Sequence, residues 1–208
     1  MEFVLSEMTM QHINDHLLSI LKQFDRPGPR YTSYPTAPVF SAEYTAKRFE
    51  DDLIENNHNS SAPLSLYLHI PFCDTLCYFC GCTTIITQNR EKISEYLIAL
   101  KKEIDHTALF INRDRKVVQM AWGGGTPSYL TPEEISDLSK FIRERFTFSD
   151  NAEISVEIDP RELTFDHLKA FVDHGANRLS LGVQDFNDDV QIAVNRIQPE
   201  KLTQQVFH

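Results

Sequence analysis

Short apolar runs alternate with amphipathic segments along the chain from residue 64 onward. Four of these runs have the length and apolar content of β-strands, and a helical pattern follows each of them. They cover residues 64–70, 117–122, 153–158 and 178–183. Strands that alternate with helices at this spacing predict an α/β fold with a parallel sheet and right-handed crossovers, either a (β/α) barrel or a doubly wound sheet.

The helices between these strands carry their own boundary signals. The first has an apolar face made of Ile93, Leu97, Leu100 and Ile104. Thr131 and Glu134 form a capping box that starts the second helix. Thr164 caps the third helix, which Gly175 ends, and a fourth begins near Asn187.

The residues before the first strand form a different region. An amphipathic pattern predicts a helix over residues 7–24, and prolines give residues 26–40 the character of an extended arm. A short helix with Ser41 as its N-cap is expected to run to about residue 55. The predicted domains are therefore an N-terminal extension of helices and arm (1–63) and an α/β domain (64–208).

The strand and helix pattern covers about four units before the chain stops. Four strands cannot close a parallel barrel of the usual kind. We therefore expect residues 64–208 to form a partial barrel that is truncated at its C-terminus.

Charge and hydropathy exclude several classes of protein. The formal net charge is -10, and the chain contains no block of basic residues, which argues against a protein that binds the nucleic-acid backbone. No apolar run approaches the length of a membrane span, and the N-terminus lacks the features of a signal peptide. These patterns predict a cytoplasmic protein without a nucleic-acid or membrane partner.

All four cysteines lie in the segment that follows the first strand, as Cys73-x3-Cys77-x2-Cys80-x-Cys82. This clustering is typical of a metal site rather than a disulfide framework. Three thiolates from one loop can hold three corners of a [4Fe-4S] cluster and leave one iron open. Two alternatives remain: a zinc site, and a four-thiolate electron carrier in which Cys82 is the fourth ligand.

Two features near the ends of later strands indicate a ligand site. Gly123, Gly124 and Gly125 follow the second strand, where the missing side chains permit either a close approach to a ligand or a tight turn. In the third strand, alternation points Glu157 into the polar interior of the partial barrel. A carboxylate buried there needs a partner, either a ligand or an ion pair with Arg161 or Arg178.

The cysteine spacing resembles that of the radical S-adenosylmethionine enzymes. The strings YLHIPFCDTLCYFCGC, WGGGTPSYL, EISVEIDPREL and NRLSLGVQDFNDDVQIAVNR, and the arm GPRYTSYPTA, resemble the oxygen-independent coproporphyrinogen III dehydrogenase (oxidase) family. The resemblance covers nearly the whole chain from Gly28 onward. Gly81 and Cys82 after the third cysteine favour this family over the related haem chaperones.

The resemblance implies a chemistry and its cofactors. Cys73, Cys77 and Cys80 would bind a [4Fe-4S] cluster whose open iron binds S-adenosyl-L-methionine, which is then cleaved to a 5'-deoxyadenosyl radical. The reaction would be oxidative decarboxylation of two propionates of coproporphyrinogen III to vinyl groups, giving protoporphyrinogen IX. An electron donor and an electron acceptor of unknown identity would be its other partners, and the protein would be a monomer. We expect the truncated chain alone to be inactive.

By the same resemblance, several residues would contact S-adenosyl-L-methionine. These are Tyr67, Phe79, Gly124, Gly125, Thr126 and Glu157, with Gln184 and Arg196 matching positions that bind a second molecule. Without the resemblance, Tyr67 and Phe79 would be core aromatics and Arg196 a surface residue. A lone histidine such as His69 is more often a hydrogen-bonded structural residue than a ligand, and it is left unassigned. No catalytic residue is assigned.

Two further interpretations remain open. Arg26 and Arg30 in the arm are candidates to bind the substrate propionates. The rival functions are a haem-binding chaperone and an iron-sulfur electron carrier.

Overall fold

Residues 46–208 contain a parallel sheet with four strands. In spatial order they are β1 (Leu64–Ile70), β4 (Val117–Gly124), β5 (Phe148–Ile158) and β6 (Arg178–Leu181). A second parallel sheet consists of β2 (Phe72–Cys73) and β3 (Ile85–Ile86). The four strands of the larger sheet stand side by side in the order in which they occur along the chain. In a doubly wound sheet this spatial order reverses after the first strands. The order is that of a barrel segment, which confirms the predicted partial (β/α) barrel.

The strand boundaries differ from the predicted ones at three ends. β4 continues to Gly124, so the first two glycines of the run belong to the strand. β5 begins at Phe148, because this residue pairs with Val117 across a register shift. β6 ends at Leu181, and Gly182 N–H then donates to the Ile158 carbonyl at 3.0 Å.

The first helix of this unit precedes β1, and the other helices follow strands of the larger sheet. Their bounds are α2 (Ala46–Asn59), α3 (Arg90–Ala108), α4 (Pro132–Arg145), α5 (Phe165–Asp173), α6 (Asp188–Ala193) and α7 (Glu200–Phe207). The capping box predicted at Thr131 is formed, and Thr164 and Asn187 cap α5 and α6, which begin where predicted. At Thr164 the cap is also a capping box, with His167 in the third helical position. Gly175 follows α5 with φ of 94°, a left-handed conformation that favours glycine.

The predicted N-cap at Ser41 is wrong. The Ser41 hydroxyl accepts from the Glu43 amide at 3.3 Å, and a turn separates these residues from α2, which begins at Ala46. A serine can bond the amide two residues ahead in a local turn, and this competes with helix capping. The helix also extends beyond the predicted end, to Asn59.

The core lies between one face of the sheet and the helices. Ile154, Val156 and Ile158 alternate inward along β5 and are buried, as their spacing predicts. Trp122 from β4 meets Phe171 from α5 edge to face, with ring centroids 5.6 Å apart. The predicted apolar face of α3 also packs on this core: Ile93 is buried and Leu97, Leu100 and Ile104 are partly buried.

The structure is a computed structural model, and it describes residues 15–25, 39–59 and 61–207. Contacts divide the chain into residues 1–45 and 46–208, so α2 belongs to the larger unit, whereas the predicted boundary falls after residue 63. In the smaller unit, α1 (Asp15–Phe24) confirms the described part of the predicted helix over 7–24. Most of the predicted arm, including Arg26 and Arg30, lies outside the described residues.

None of the helices in the described ranges is long and apolar enough to cross a membrane.

Candidate cofactor site around the cysteine loop

The segment with the four cysteines, residues 73–82, is called the cysteine loop here. It leaves the carboxyl end of β1, where parallel α/β folds bind ligands. The short β2 and β3 strands close its base by pairing Phe72 with Ile85 and Cys73 with Ile86. The Ile85 amide also donates to the Pro71 carbonyl at 2.7 Å. This pairing was not predicted, because two-residue strands leave no periodic pattern in a sequence.

The four thiols differ in their surroundings. Cys73 and Cys77 are half-buried, Cys80 and Cys82 are exposed, and none of them is in a disulfide. Burial, together with the nearby Cys80 and Asp159, raises the pKa of the Cys73 thiol to about 11. A thiolate at Cys73 therefore needs a positive charge beside it, and a bound metal centre supplies such a charge.

The donor set fits an iron-sulfur cluster. Cys73, Cys77 and Cys80 offer three soft thiol ligands from one loop, partly open to solvent. Within the described ranges, no three His, Cys, Asp or Glu side chains form a ready-made site for a single metal ion. Cys82 is placed differently, because its backbone amide donates to the Cys80 sulfur at 3.4 Å. Such N–H to sulfur bonds are one means by which proteins adjust the potential of a cluster.

The glycine run packs directly against the base of the cysteine loop. Gly124 has φ of 119°, and a Cβ there would lie 2.7 Å from the Ile70 carbonyl oxygen. A Cβ at Gly125 would lie 2.8 Å from the Cys73 sulfur and 2.5 Å from the Phe72 carbonyl oxygen. Side chains are therefore excluded at both positions, and the run brings the end of β4 against the first cysteine.

The backbone amides of this turn are already occupied. Gly125 N–H donates to the Ile70 carbonyl at 2.8 Å, and Thr126 N–H donates to the Phe72 carbonyl at 3.0 Å. The Thr126 side chain is only 6% exposed, and its hydroxyl accepts from the Asp159 amide at 3.2 Å. These two N–H groups are therefore not free to bind a ligand at this turn.

Tyr67 lies on the face of the sheet that the helices leave open. Its side chain is 61% exposed, so the interpretation as a core aromatic is wrong. Its hydroxyl lies 3.1 Å from His69 Nδ1, and His69 Nε2 lies 2.9 Å from the Thr83 carbonyl oxygen. A carbonyl only accepts, so Nε2 carries a hydrogen, and in the neutral imidazole Nδ1 then accepts from the tyrosine hydroxyl. His69, which the sequence left unassigned, is thus a hydrogen-bonded residue that holds Tyr67.

Glu157 is beside Tyr67 on the same open face. A Cβ at Gly123 would lie 2.9 Å from both the Glu157 carboxylate and the Tyr67 hydroxyl, so these groups flank one small space. Burial, with the charges of Glu157 and Cys82, raises the pKa of the Tyr67 hydroxyl. The site is thus lined by a carboxylate and a phenol on β5 and β1.

The environment of Glu157 differs from the predicted one in two respects. The side chain points away from the core as predicted, but it is exposed rather than buried. The alternative ion pair with Arg161 or Arg178 is wrong, because Arg161 binds Asp159 and Arg178 binds Glu153. Glu153 lies nearer the start of β5 and captures Arg178 at 3.2 Å.

An ionic group centred on the half-buried Asp159 lies next to the cysteine loop. Its carboxylate accepts two hydrogen bonds from Arg161 Nε and Nη2 and one from Arg196 Nη1 at 2.9 Å. Burial opposes ionisation, but the bonds from Arg161 and the charge of Arg196 outweigh it and hold the pKa of the Asp159 carboxyl below its ordinary value. Asp159 was missed from the sequence, although the DPRE string directly after β5 is a signal for it.

Arg196 is not a surface residue, and it is not in a helix. It follows the end of α6 and is 8% exposed. Besides Asp159, it donates to the Gly182 carbonyl at 2.7 Å. The guanidinium is thus paired with a carboxylate and a carbonyl, and these bonds offset the free-energy cost of burying its charge.

The two remaining predicted contacts are both exposed. Gln184 follows β6 with φ of 66°. A Cβ at Gly182 would lie 3.2 Å from its amide nitrogen and 3.2 Å from Arg196 Nη2, so both side chains border Gly182. Phe79 is 63% exposed, so the interpretation as a core residue is wrong. An exposed phenylalanine between two cysteines is free to pack on a ligand held by the loop.

A distant segment also contacts the cysteine loop. The side chain of Asn195 donates to the Leu76 carbonyl at 2.7 Å, and the Tyr78 amide donates to the Val194 carbonyl at 2.9 Å. Nothing in the sequence pattern predicts these bonds, because the partners are 119 residues apart in the first case.

Comparison with known proteins agrees with this geometry. The family model of the Radical SAM superfamily matches residues 67–206. The chain is 49% identical over 196 residues to the oxygen-independent coproporphyrinogen III oxidase of Escherichia coli, covering 94% of this chain and 42% of that protein. It is 46% identical over 188 residues to the protein of that name from Synechocystis sp., covering 90% of this chain and 40% of that protein.

A solved structure gives the same result for the fold. It is coproporphyrinogen III oxidase from Escherichia coli, described as a radical SAM enzyme, and it is 47% identical with a TM-score of 0.77. The match covers 89% of this chain and 40% of that one. The chain thus spans about two fifths of the length of the relatives it matches. Since the family model covers most of the chain and the parallel sheet carries the cysteine loop at its carboxyl edge, this chain belongs to the Radical SAM superfamily.

Proposed function

We propose that this chain carries the cluster-binding and S-adenosyl-L-methionine-binding residues of an oxygen-independent coproporphyrinogen III oxidase. The observation that carries the proposal is the three-thiol loop packed against the glycine run, in a chain that is 49% identical over nearly its whole length to one such enzyme. The reaction converts two propionates of coproporphyrinogen III to vinyl groups and yields protoporphyrinogen IX. It also needs an electron donor and an electron acceptor.

In this proposal Cys73, Cys77 and Cys80 hold a [4Fe-4S] cluster. When bound, the cluster supplies the electron that cleaves S-adenosyl-L-methionine and so starts the oxidation of the substrate. Two of the proposed ligands, Cys73 and Cys77, are half-buried, and the third, Cys80, is exposed. Cys82 contributes its backbone amide to the Cys80 sulfur and is not a ligand.

The open face of the sheet binds S-adenosyl-L-methionine. The Glu157 carboxylate offers two acceptors for an ammonium or ribose hydroxyl group, and Tyr67 is held in place beside it by His69. Phe79 offers a flat apolar surface next to the last two ligands. Gln184, which is exposed near Gly182, would contact a second molecule of the cofactor. Arg196 would support this second site from within, since its guanidinium is buried against Asp159 and the Gly182 carbonyl.

The substrate carries four carboxylates, whereas the chain has a formal net charge of -10. Local cations must therefore bind the propionates. Arg26 and Arg30 remain candidates for this role and lie outside the described residues. A cytoplasmic location and a monomeric state also remain predictions.

A two-stage experiment tests the proposal. The chain is first reconstituted anaerobically with iron and sulfide and reduced, and iron content and formation of 5'-deoxyadenosine from S-adenosyl-L-methionine are measured. In the second stage, a chimera is made in which this chain replaces the matching segment of the Escherichia coli enzyme. Chromatography then measures how much coproporphyrinogen III the chimera converts. A chimera with Cys77→Ser is the matched control.

The expected result is a cluster in the chain and vinyl product from the chimera, both lost in the control. A chimera that forms 5'-deoxyadenosine and no vinyl product contradicts the proposed substrate. A bound cluster with no cleavage of S-adenosyl-L-methionine supports the electron carrier. Retention of haem without any vinyl product supports the haem-binding chaperone.

A further inference from the structure

The turn after α6 contacts the middle of the cysteine loop. Asn195 Nδ2 donates to the Leu76 carbonyl at 2.7 Å, and the Val194 carbonyl accepts from the Tyr78 amide at 2.9 Å. These two hydrogen bonds are made by the residues on either side of Cys77. Two adjacent residues of one turn thus hold the backbone before and after one cysteine.

The backbone of Asn195 is adapted to this contact. Its φ of 52° is in the left-handed region, where asparagine is tolerated far better than most residues with a side chain. This conformation follows the end of α6, where the Asn195 amide donates to the Ile192 carbonyl at 3.1 Å. Glycine would fit this backbone equally well. What asparagine adds at this position is its side-chain amide, which makes the bond to Leu76.

Buried hydrogen bonds hold the turn itself in place. The Arg196 guanidinium is buried against Asp159 and the Gly182 carbonyl. Gln191 and Gln198 exchange two hydrogen bonds, of 2.9 and 2.7 Å, and both side chains are buried. The segment from α6 to Gln198 therefore acts as a rigid support for Asn195.

The cysteine loop has mostly short-range bonds of its own between Cys77 and Cys82. The Cys80 amide donates to the Cys77 carbonyl at 3.1 Å, and the Cys82 amide donates to the Cys80 sulfur. Such bonds fix a turn but do not fix its position relative to the sheet. The bonds from the turn after α6 fix this position.

We propose that Asn195, together with the Val194 carbonyl, forms a clamp that sets the conformation of the cysteine loop around Cys77. Asn195 is thus a positioning residue for the metal centre, on which it acts through the loop backbone. The clamp rests on the proposed cluster for its functional meaning, but its effect on the loop is measurable without any metal.

The decisive variant is Asn195→Gly, which keeps the left-handed backbone and removes only the side-chain amide. Asn195→Asp is the second variant, because a carboxylate has the same shape but cannot donate to the Leu76 carbonyl. Asn187→Ala is the matched control. It removes the cap at the other end of α6, where Asn187 accepts from Asp189 and Val190, and leaves the clamp intact.

The first measurement is amide hydrogen exchange of Tyr78 in the metal-free protein. We expect exchange to become about tenfold faster in both Asn195 variants, since loss of one hydrogen bond loosens the loop. The Asn187→Ala control should leave it unchanged. The second measurement is the electron paramagnetic resonance spectrum of the reduced, reconstituted protein, which should change in both Asn195 variants and not in the control.

The outcomes separate the clamp from the proposed function. Exchange at Tyr78 that is unchanged in Asn195→Gly, or equally changed in Asn187→Ala, overturns the clamp. Faster exchange with an unaltered spectrum also overturns it as a positioning device for the metal. If the unaltered chain binds no iron while exchange responds as expected, the clamp holds the loop but the proposed function fails.

Discussion

The helix-covered face of the sheet and the cysteine loop at its edge are held by different forces. On the covered face, Val156, Ile158 and Trp122 are almost fully buried and pack on helices. Around the cysteine loop, the segments are held together by hydrogen bonds and ion pairs, and several of these connect residues far apart in the chain. Apolar burial is shared among many side chains, whereas each polar bond at the loop has a single partner. Changes in the first region should therefore cost stability, and changes in the second should cost site geometry.

The largest effect is expected in the core. Trp122→Ala removes a side chain that is 2% exposed and packs on Phe171, and it should lower the free energy of unfolding by about 3–5 kcal/mol. Denaturant unfolding measures this, with Leu109→Ala as the control, because Leu109 is 79% exposed. A loss of less than about 1 kcal/mol would mean that burial does not dominate this face.

The next effect is at the ionic group below the loop. Asp159→Ala leaves the buried Arg196 guanidinium without its carboxylate and should cost about 3 kcal/mol of stability at neutral pH. The pKa of this carboxyl is lowered in the folded state, so its contribution is present above its unfolded pKa and is lost as pH falls through the folded pKa. Unfolding of both proteins is measured against pH. A difference that persists undiminished in acid would contradict this source of stability.

A smaller effect is expected on the open face. Glu157→Gln should weaken binding of S-adenosyl-L-methionine by about tenfold, the value of one hydrogen bond to a charged group, and leave the melting temperature unchanged. Calorimetric titration of the reconstituted protein measures the affinity. Glu153→Gln is the matched control, because Glu153 lies on the same strand and its carboxylate binds Arg178. Equal losses of affinity in the two variants would remove Glu157 from the site.

The smallest effect is expected at the fourth cysteine. Cys82→Ser should keep near-normal iron content, because the backbone amide that contacts the Cys80 sulfur is retained. Cys77→Ser should lose the cluster. Iron and sulfide analysis after anaerobic reconstitution compares the two, and an equal loss would support a four-thiolate electron carrier.

Features set by neighbouring residues were predicted well from the sequence. The capping box at Thr131 and the helix start at Thr164 need only three residues of context, and both are found. The strands of the larger sheet and the buried side of β5 follow from apolar spacing, with errors only at the strand ends. Ser41 shows the limit, because a local turn used the same hydroxyl that a helix cap would need.

Features set by distant partners were not predicted. The burial of Arg196 depends on Asp159 and Gly182, which precede it on other elements. Likewise, the contact between Asn195 and Leu76 depends on the fold, which brings the turn after α6 next to the cysteine loop. Residue type and spacing carry no signal for such pairs. The resemblance identified Arg196 as a site residue without indicating that it is buried.

The most direct test of the central claim is electron paramagnetic resonance of the reduced, anaerobically reconstituted chain, recorded with and without S-adenosyl-L-methionine. If Cys73, Cys77 and Cys80 hold a [4Fe-4S] cluster with one open iron, the spectrum is that of such a cluster and changes when the cofactor is added. A spectrum that is indifferent to the cofactor, or iron that is retained after all three cysteines are replaced by serine, would contradict the account.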